Sequence, residues 1–203
     1  MVEIRTKSVS AAMIAAIVGV VTVGCISRAG VAETPVFTPL GDLAGGGFAS
    51  FAHGISRDGR VVVGTGTSAS GSQAYRWNSI SGMLPISGGS GASTAFAWGV
   101  SDNGSVIAGR ANVTGGAALF RWQSGVGTTV IGDLEGGSLD ASGYAVSADG
   151  SVIVGLGRSA AGNEAVRWTQ ATGLVGLGDL PGGGFGSRAW SVTPDGNVVV
   201  GAG

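Results

Sequence analysis

Three residue types are almost missing from this 203-residue chain, and each absence removes a class of function. There is one cysteine, Cys25, so no internal disulfide and no cysteine metal cluster can form. There is one histidine, His53, so any histidine-dependent mechanism would have to use it. There is one lysine, Lys7, and charged residues make up only 11% of the chain at a formal net charge of -1. That leaves no basic patch of the kind that holds a nucleic acid. No Ser–His or Ser–Lys nucleophile motif stands out, and no carboxylate pair stands apart from the general pattern. The expected protein is not an enzyme and carries no cofactor and no metal.

What is abundant is glycine, at 41 residues against 5 prolines. That share approaches the range of disordered chains, but a fixed period argues for order. Ser56-Arg57-Asp58-Gly59-Arg60-Val61-Val62-Val63-Gly64 recurs as Ser101-Asp102-Asn103-Gly104-Ser105-Val106-Ile107-Ala108-Gly109. It recurs again from Ser147 to Gly155 and from Thr193 to Gly201. The turn glycines 59, 104, 150 and 196 are 45, 46 and 46 residues apart. A period of this size marks one supersecondary unit stacked on copies of itself.

The N-terminus reads as a targeting segment. Arg5 and Lys7 precede a nearly apolar run from Ala11 to Ile26, and Gly30-Val31-Ala32 offers small residues for cleavage. This is the layout of a secretory signal peptide over residues 1–32, and the run is short for a spanning helix of about 20 residues. Two alternatives stay open. Val23-Gly24-Cys25 resembles the end of a bacterial lipobox, with Thr22 where leucine is usual, which would leave Cys25 lipidated. The leader could also remain as an uncleaved anchor.

Residues 33–203 then read as about three and a half units, near 41–86, 87–131, 132–177 and 178–203. Each full unit offers four short strands. In the first these are 52–56, 61–65, 73–77 and 83–86, with Asp58-Gly59 as a type I′ hairpin signal between the first two. Val61 and Val63 point to one face and Val62 to the other. A small sheet that is apolar on both faces must be covered on both, which stacked neighbours provide. The expected fold is all-β, with repeated four-stranded antiparallel blades in a β-propeller-like and incomplete array. A β-solenoid is the alternative.

The residues also resemble a family. The Ser-x-Asp-Gly-x-Val hairpin, the linker Gly-Asp-Leu followed by glycines (Gly41-Asp42-Leu43, Gly132-Asp133-Leu134, Gly178-Asp179-Leu180) and the pairs Arg76-Trp77, Arg121-Trp122 and Arg167-Trp168 are similar to the bacterial HAF-type extracellular repeat. The tripeptide that names the family stands here as Gln73-Ala74-Tyr75, Ala118-Leu119-Phe120 and Glu164-Ala165-Val166, without its histidine. The resemblance covers about residues 36–203. It implies secretion or surface display in bacteria, and it brings no defined activity with it.

Several residues invite a functional reading. Arg76, Arg121 and Arg167 could form a ring for an anionic ligand. Their structural alternative is to bond a carboxylate or turn carbonyl next door. Asp42, Asp133 and Asp179 could bind a ligand or calcium, but no loop supplies the dense oxygen set calcium requires. Aspartate at a glycine-rich turn usually bonds its own backbone. His53 occupies a slot that holds Trp98, Tyr144 and Trp190 in the other units, a ring position that suggests packing. The hairpin also resembles the Asp-box of sialidase propellers, without its spacer before glycine and its later tryptophan. Gly64-Thr65-Gly66-Thr67 follows a strand but precedes no helix, so it is no phosphate loop.

The function expected is that of a non-catalytic, secreted or surface-displayed binding or structural module. Its partner would be an unidentified extracellular protein or glycan, with no nucleic acid. Membrane attachment would come only through an uncleaved leader or lipidated Cys25. Self-association through the open array end would follow from an exposed strand edge. The alternatives are a fragment of a larger exported protein and a secreted carbohydrate-active propeller enzyme.

Overall fold

The computed structural model describes residues 37–203, of which Thr38–Gly203 form one compact unit. The leader, Cys25 and the expected cleavage point after Ala32 lie outside the described residues. Among the described residues no helix is long and apolar enough to cross a membrane.

Among the described residues fourteen strands follow one another as antiparallel meanders. The first sheet holds β1 (Ser50–Ile55), β2 (Val62–Ser68), β3 (Gly71–Asn78) and β4 (Gly82–Ile86) in sequential order. The second holds β5 (Thr94–Val100), β6 (Val106–Val113), β7 (Gly116–Gln123) and β8 (Gly127–Gly132). The third holds β9 (Ser142–Val146), β10 (Val152–Ser159), β11 (Gly162–Thr169) and β12 (Gly173–Gly176). A two-stranded sheet of β13 (Arg188–Val192) and β14 (Val199–Ala202) follows. Each four-stranded sheet is built from one unit of the repeat, as in a propeller blade. In a solenoid each strand would pair with its counterpart in the next unit, and that pairing does not occur here.

The valine runs explain the stacking. On β6 and β10 three successive residues are buried, Val106 to Ala108 and Val152 to Val154. Alternation sends their side chains to opposite faces, so both faces must be covered. Val61, Val63, Ala97, Ile107 and Phe120 form a core between the first two sheets. Ala108, Leu119, Ile153 and Val166 form the next, and Val154 and Ala189 lie in the one after that. On β14, by contrast, Val200 is 57% exposed.

The hairpin departs from the expected two-residue type I′ turn. Ser147 N donates to Val152 O and Gly150 N donates to Ser147 O, which makes a four-residue connection around an i to i+3 turn. The side chains set this geometry. Ser147 Oγ donates to Asp149 Oδ1 (2.7 Å), which also accepts from Ser151 N (2.9 Å), while Val152 N donates back to Ser147 Oγ (2.9 Å). Only the glycine needs left-handed backbone, which suits the last position of such a turn. The same lattice closes around Ser56 and Asp58, Ser101 and Asn103, and Thr193 and Asp195.

These turns also join one unit to the next. A β-carbon on Gly104 would lie 2.4 Å from Val61 Cγ2, and one on Gly150 would lie 2.4 Å from Val106 Cγ2. Asp102 N donates to Ala148 O, and Ala148 N to Pro194 O. Gly59 has the same positive φ of 71° but nothing within 4 Å of its β-carbon position. Gly59→Ala therefore meets only backbone strain, whereas Gly150→Ala meets strain and a collision. Urea unfolding should show Gly150→Ala to be the less stable variant by about 1–3 kcal/mol, the usual range for overpacking. Equal stability of the two would show that the turn contacts contribute nothing.

Candidate functional site

The linker aspartates and the strand arginines sit at opposite ends of their sheets. Asp42 accepts from Leu43 N (2.9 Å), from Ala49 N (2.7 Å) and from the Ser50 hydroxyl, at the N-terminal end of β1. Asp133 accepts from Leu134 N (2.7 Å), Asp140 N (2.7 Å) and Arg158 N (2.8 Å). Asp179 accepts from Leu180 N (2.8 Å) and Gly186 N (2.7 Å). Each carboxylate thus clamps an eight-residue loop by bridging its own position to the amide seven residues on. The following glycines let the loop lie against β2 or β10, since a β-carbon on Gly46 or Gly137 would collide with Thr67 O or Arg158 O. Both oxygens of each aspartate are occupied within the chain, which departs from the expectation of carboxylates open to a ligand. Among the described residues no three His, Cys, Asp or Glu side chains come together as a metal site.

Arg76, Arg121 and Arg167 lie opposite Val63, Ala108 and Val154 in the sheet register, toward the hairpin end. Arg121 donates to Gln123 Oε1 (2.6 Å), and its guanidinium lies 5.6 Å from the centre of the Trp168 ring in the next sheet. Burial pulls its pKa down from the ordinary arginine value. Arg167 reaches Gly196 O, a turn carbonyl of the following unit, at 3.5 Å. Arg121 and Arg167 share an open cleft of about 790 Å³ with Asp149, Asp195 and Trp168, and Arg76 is not part of it. Arg121 and Arg167 therefore face a cleft met by the hairpin turns of Asp149 and Asp195, with no linker aspartate beside them. Cys25 lies outside the described residues.

A second feature was only half visible in the sequence. The β1–β2 register runs from Ala52↔Gly64 to Gly54↔Val63, skipping His53. The first strands of the other sheets, β5, β9 and β13, skip Trp98, Tyr144 and Trp190 in the same way. Each ring residue is thus a β-bulge, a device that re-aims a side chain. The rings form a column, with centroids 6.4 Å apart from His53 to Trp98, 5.5 Å to Tyr144 and 5.2 Å to Trp190. His53 Nδ1 donates to Ala97 O at 2.9 Å, because a carbonyl can only accept, and so ties the first sheet to the second. The column is not core, however, and Trp190 is 50% exposed. The repeated slot announces rings, but the bulge that turns them out of the stacked faces has no signature of its own.

With this geometry in hand, two solved structures share the architecture. TolB from Acinetobacter baumannii aligns at 20% identity and TM-score 0.51, over 72% of this chain and 35% of that one. A protein described as TolB from Agrobacterium tumefaciens aligns at 18% identity and TM-score 0.53, over 75% and 53%. This chain spans about a third and about half of their lengths. The likeness establishes an all-β, propeller-like fold. No protein-family model matches the chain, and no curated protein matches it in sequence.

The hairpin carboxylates generate a pH dependence. Asp149 is held at about 2, first by the Ser151 amide and then by the Ser147 and Ser151 hydroxyls. The Ser56 hydroxyl lowers Asp58 and the Thr193 hydroxyl lowers Asp195. Groups depressed below the unfolded value of about 3.9 stabilise the fold fully above that pH and lose the contribution as pH falls toward 2. Thermal melts should therefore fall between about pH 4 and pH 2, and Asp149→Asn should show a smaller drop. An acid-insensitive melting temperature would contradict the assignment.

Proposed function

We propose that this protein is an exported, non-catalytic repeat module of the bacterial cell surface that works by binding or scaffolding. The observation that carries the reading is the use of the repeated polar groups. The hairpin serines and aspartates and the linker aspartates all bond their own chain, which leaves no repeated acid, base or nucleophile for chemistry. What remains on the first strand of each sheet is a column of rings, suited to contact rather than to proton transfer. The leader layout of residues 1–32 and the similarity to HAF-type repeats support export. The propeller-like architecture gives a scaffold on which unrelated functions are grafted, so fold alone adds no activity.

The test is expression of the full chain in a Gram-negative host, followed by fractionation, N-terminal sequencing and a binding screen against glycans and envelope proteins. The expected outcome is an exported chain starting near Glu33, or lipidated at Cys25, that binds a surface component and turns over no glycoside. Retention in the cytoplasm would overturn export. Glycoside hydrolysis lost in Arg121→Ala without loss of fold would replace the binding module with a carbohydrate-active enzyme.

A further inference from the structure

Three of the four hairpin turns carry aspartate at one position, and the second unit carries Asn103 there, followed by Gly104. It is the single Asn-Gly pair among the five asparagines of the chain. Asparagine is a thermolabile residue, and most so before glycine, whose unhindered amide nitrogen reaches the side-chain carbon most easily. Gly104 N attacks Cγ of Asn103, a C–N bond forms and the bond to Nδ2 breaks. The side-chain nitrogen leaves as ammonia, taking the proton that Gly104 N gives up. Water then opens the cyclic imide at one of its two carbonyls. The product is aspartate or, with Cβ drawn into the main chain, isoaspartate.

The folded turn opposes this reaction at each atom involved. Gly104 N donates to Ser101 O at 2.9 Å, so the attacking nitrogen is tied down by its own proton. Asn103 Oδ1 accepts from Ser101 Oγ (3.0 Å) and from Ser105 N (3.0 Å), which fixes the side-chain amide. Gly104 is buried against Val61, where a β-carbon would lie 2.4 Å from Cγ2. Asn103 itself is exposed, so water has access and geometry is the restraint. Closing the imide ring removes the first of these hydrogen bonds and turns Cγ away from the other two. At about fivefold in an equilibrium constant for each bond, the turn slows the reaction about a hundredfold.

The other three turns are shielded by charge. The Ser151 amide first of all holds Asp149 at about 2, and the Ser56 and Thr193 hydroxyls lower Asp58 and Asp195. These side chains are ionised at neutral pH, and a carboxylate is a poor electrophile. The two products at Asn103 also differ in consequence. Aspartate recreates the turn of the other units, with a charged acceptor for the same two donors. Isoaspartate lengthens the main chain by one carbon just before Gly104, which then cannot both bond Ser101 O and keep its place against Val61. We propose that Asn103 is a deamidation site gated by its own turn: it reacts when that turn opens, and the isoaspartate formed keeps the junction between the first and second sheets from closing again.

The experiment incubates the exported full-chain protein in mildly alkaline buffer, folded or unfolded in urea, and follows the tryptic peptide from Trp77 to Arg110. Deamidation is read as a gain of one mass unit, and isoaspartate by methylation with an isoaspartyl methyltransferase. The folded protein should react about a hundredfold more slowly than the protein in urea. Ser101→Ala should raise the folded rate about fivefold and leave the rate in urea unchanged. Chains that carry isoaspartate should melt at a lower temperature than fresh protein. Asn103→Asp, ionised at this pH and slow to close the imide, should melt no lower than the unsubstituted chain. Equal rates in folded and urea-treated protein overturn the proposal, as does a melting temperature that isoaspartate leaves unchanged. The rate ratio of the unsubstituted protein decides the matter even where Ser101→Ala fails to fold.

Discussion

In every unit a carbonyl oxygen of the first strand lies 1.9 Å from where the glycine of the second strand would carry a β-carbon. The pairs are Phe51 with Gly64, Phe96 with Gly109, Ser142 with Gly155 and Arg188 with Gly201. No other residue fits there. The approach is the backbone side of the bulge, since the residue two places after each carbonyl is the ring that the register skips. Bulge, glycine and ring column are therefore one feature with three expressions. The last letter of the nine-residue repeat is glycine because the first strand bends toward it at that point.

Around that constraint the units stack by nearest-neighbour contact. A sheet of four short strands that is apolar on both sides has no solvated face to fall back on. Its stability comes from the cores it shares with the sheets before and after it. The polar side chains follow the same economy. Ser–Asp pairs close the hairpins, Asp clamps close the linkers, and Arg121 crosses to Trp168 in the following sheet. Little charge is left to distribute over the surface, which fits a composition with so few ionisable groups.

The fold was largely legible because a period is a global signal that local ambiguity cannot erase. Four strands per unit, both-face burial of the valine runs and backbone bonding by Asp42, Asp133 and Asp179 all follow from spacing and residue type. The turn type did not follow, because Asp-Gly favours type I′ only where no serine two residues earlier competes for the carboxylate. The reading of His53 as packing was half of the story. A shared slot reveals a ring but not which way a bulge will aim it. Arg167 reaches a carbonyl of a neighbouring turn, as its residue type suggests, whereas Arg121 meets Gln123 and the Trp168 ring instead. Their separation from the linker aspartates depends on which end of each sheet the loops reach, and that needs the topology.

From the second unit on, each turn packs on the valine of the unit before it, and the second and third turns donate a backbone hydrogen bond to the unit after them, so the backbone of these junctions repeats. Such a molecule can change size by whole repeats without its interior being redesigned. Recombination that adds or removes one 45- or 46-residue segment would leave every surviving junction intact, whereas a deletion of any other length would break the match between a hairpin glycine and its valine. Length is then a variable open to selection.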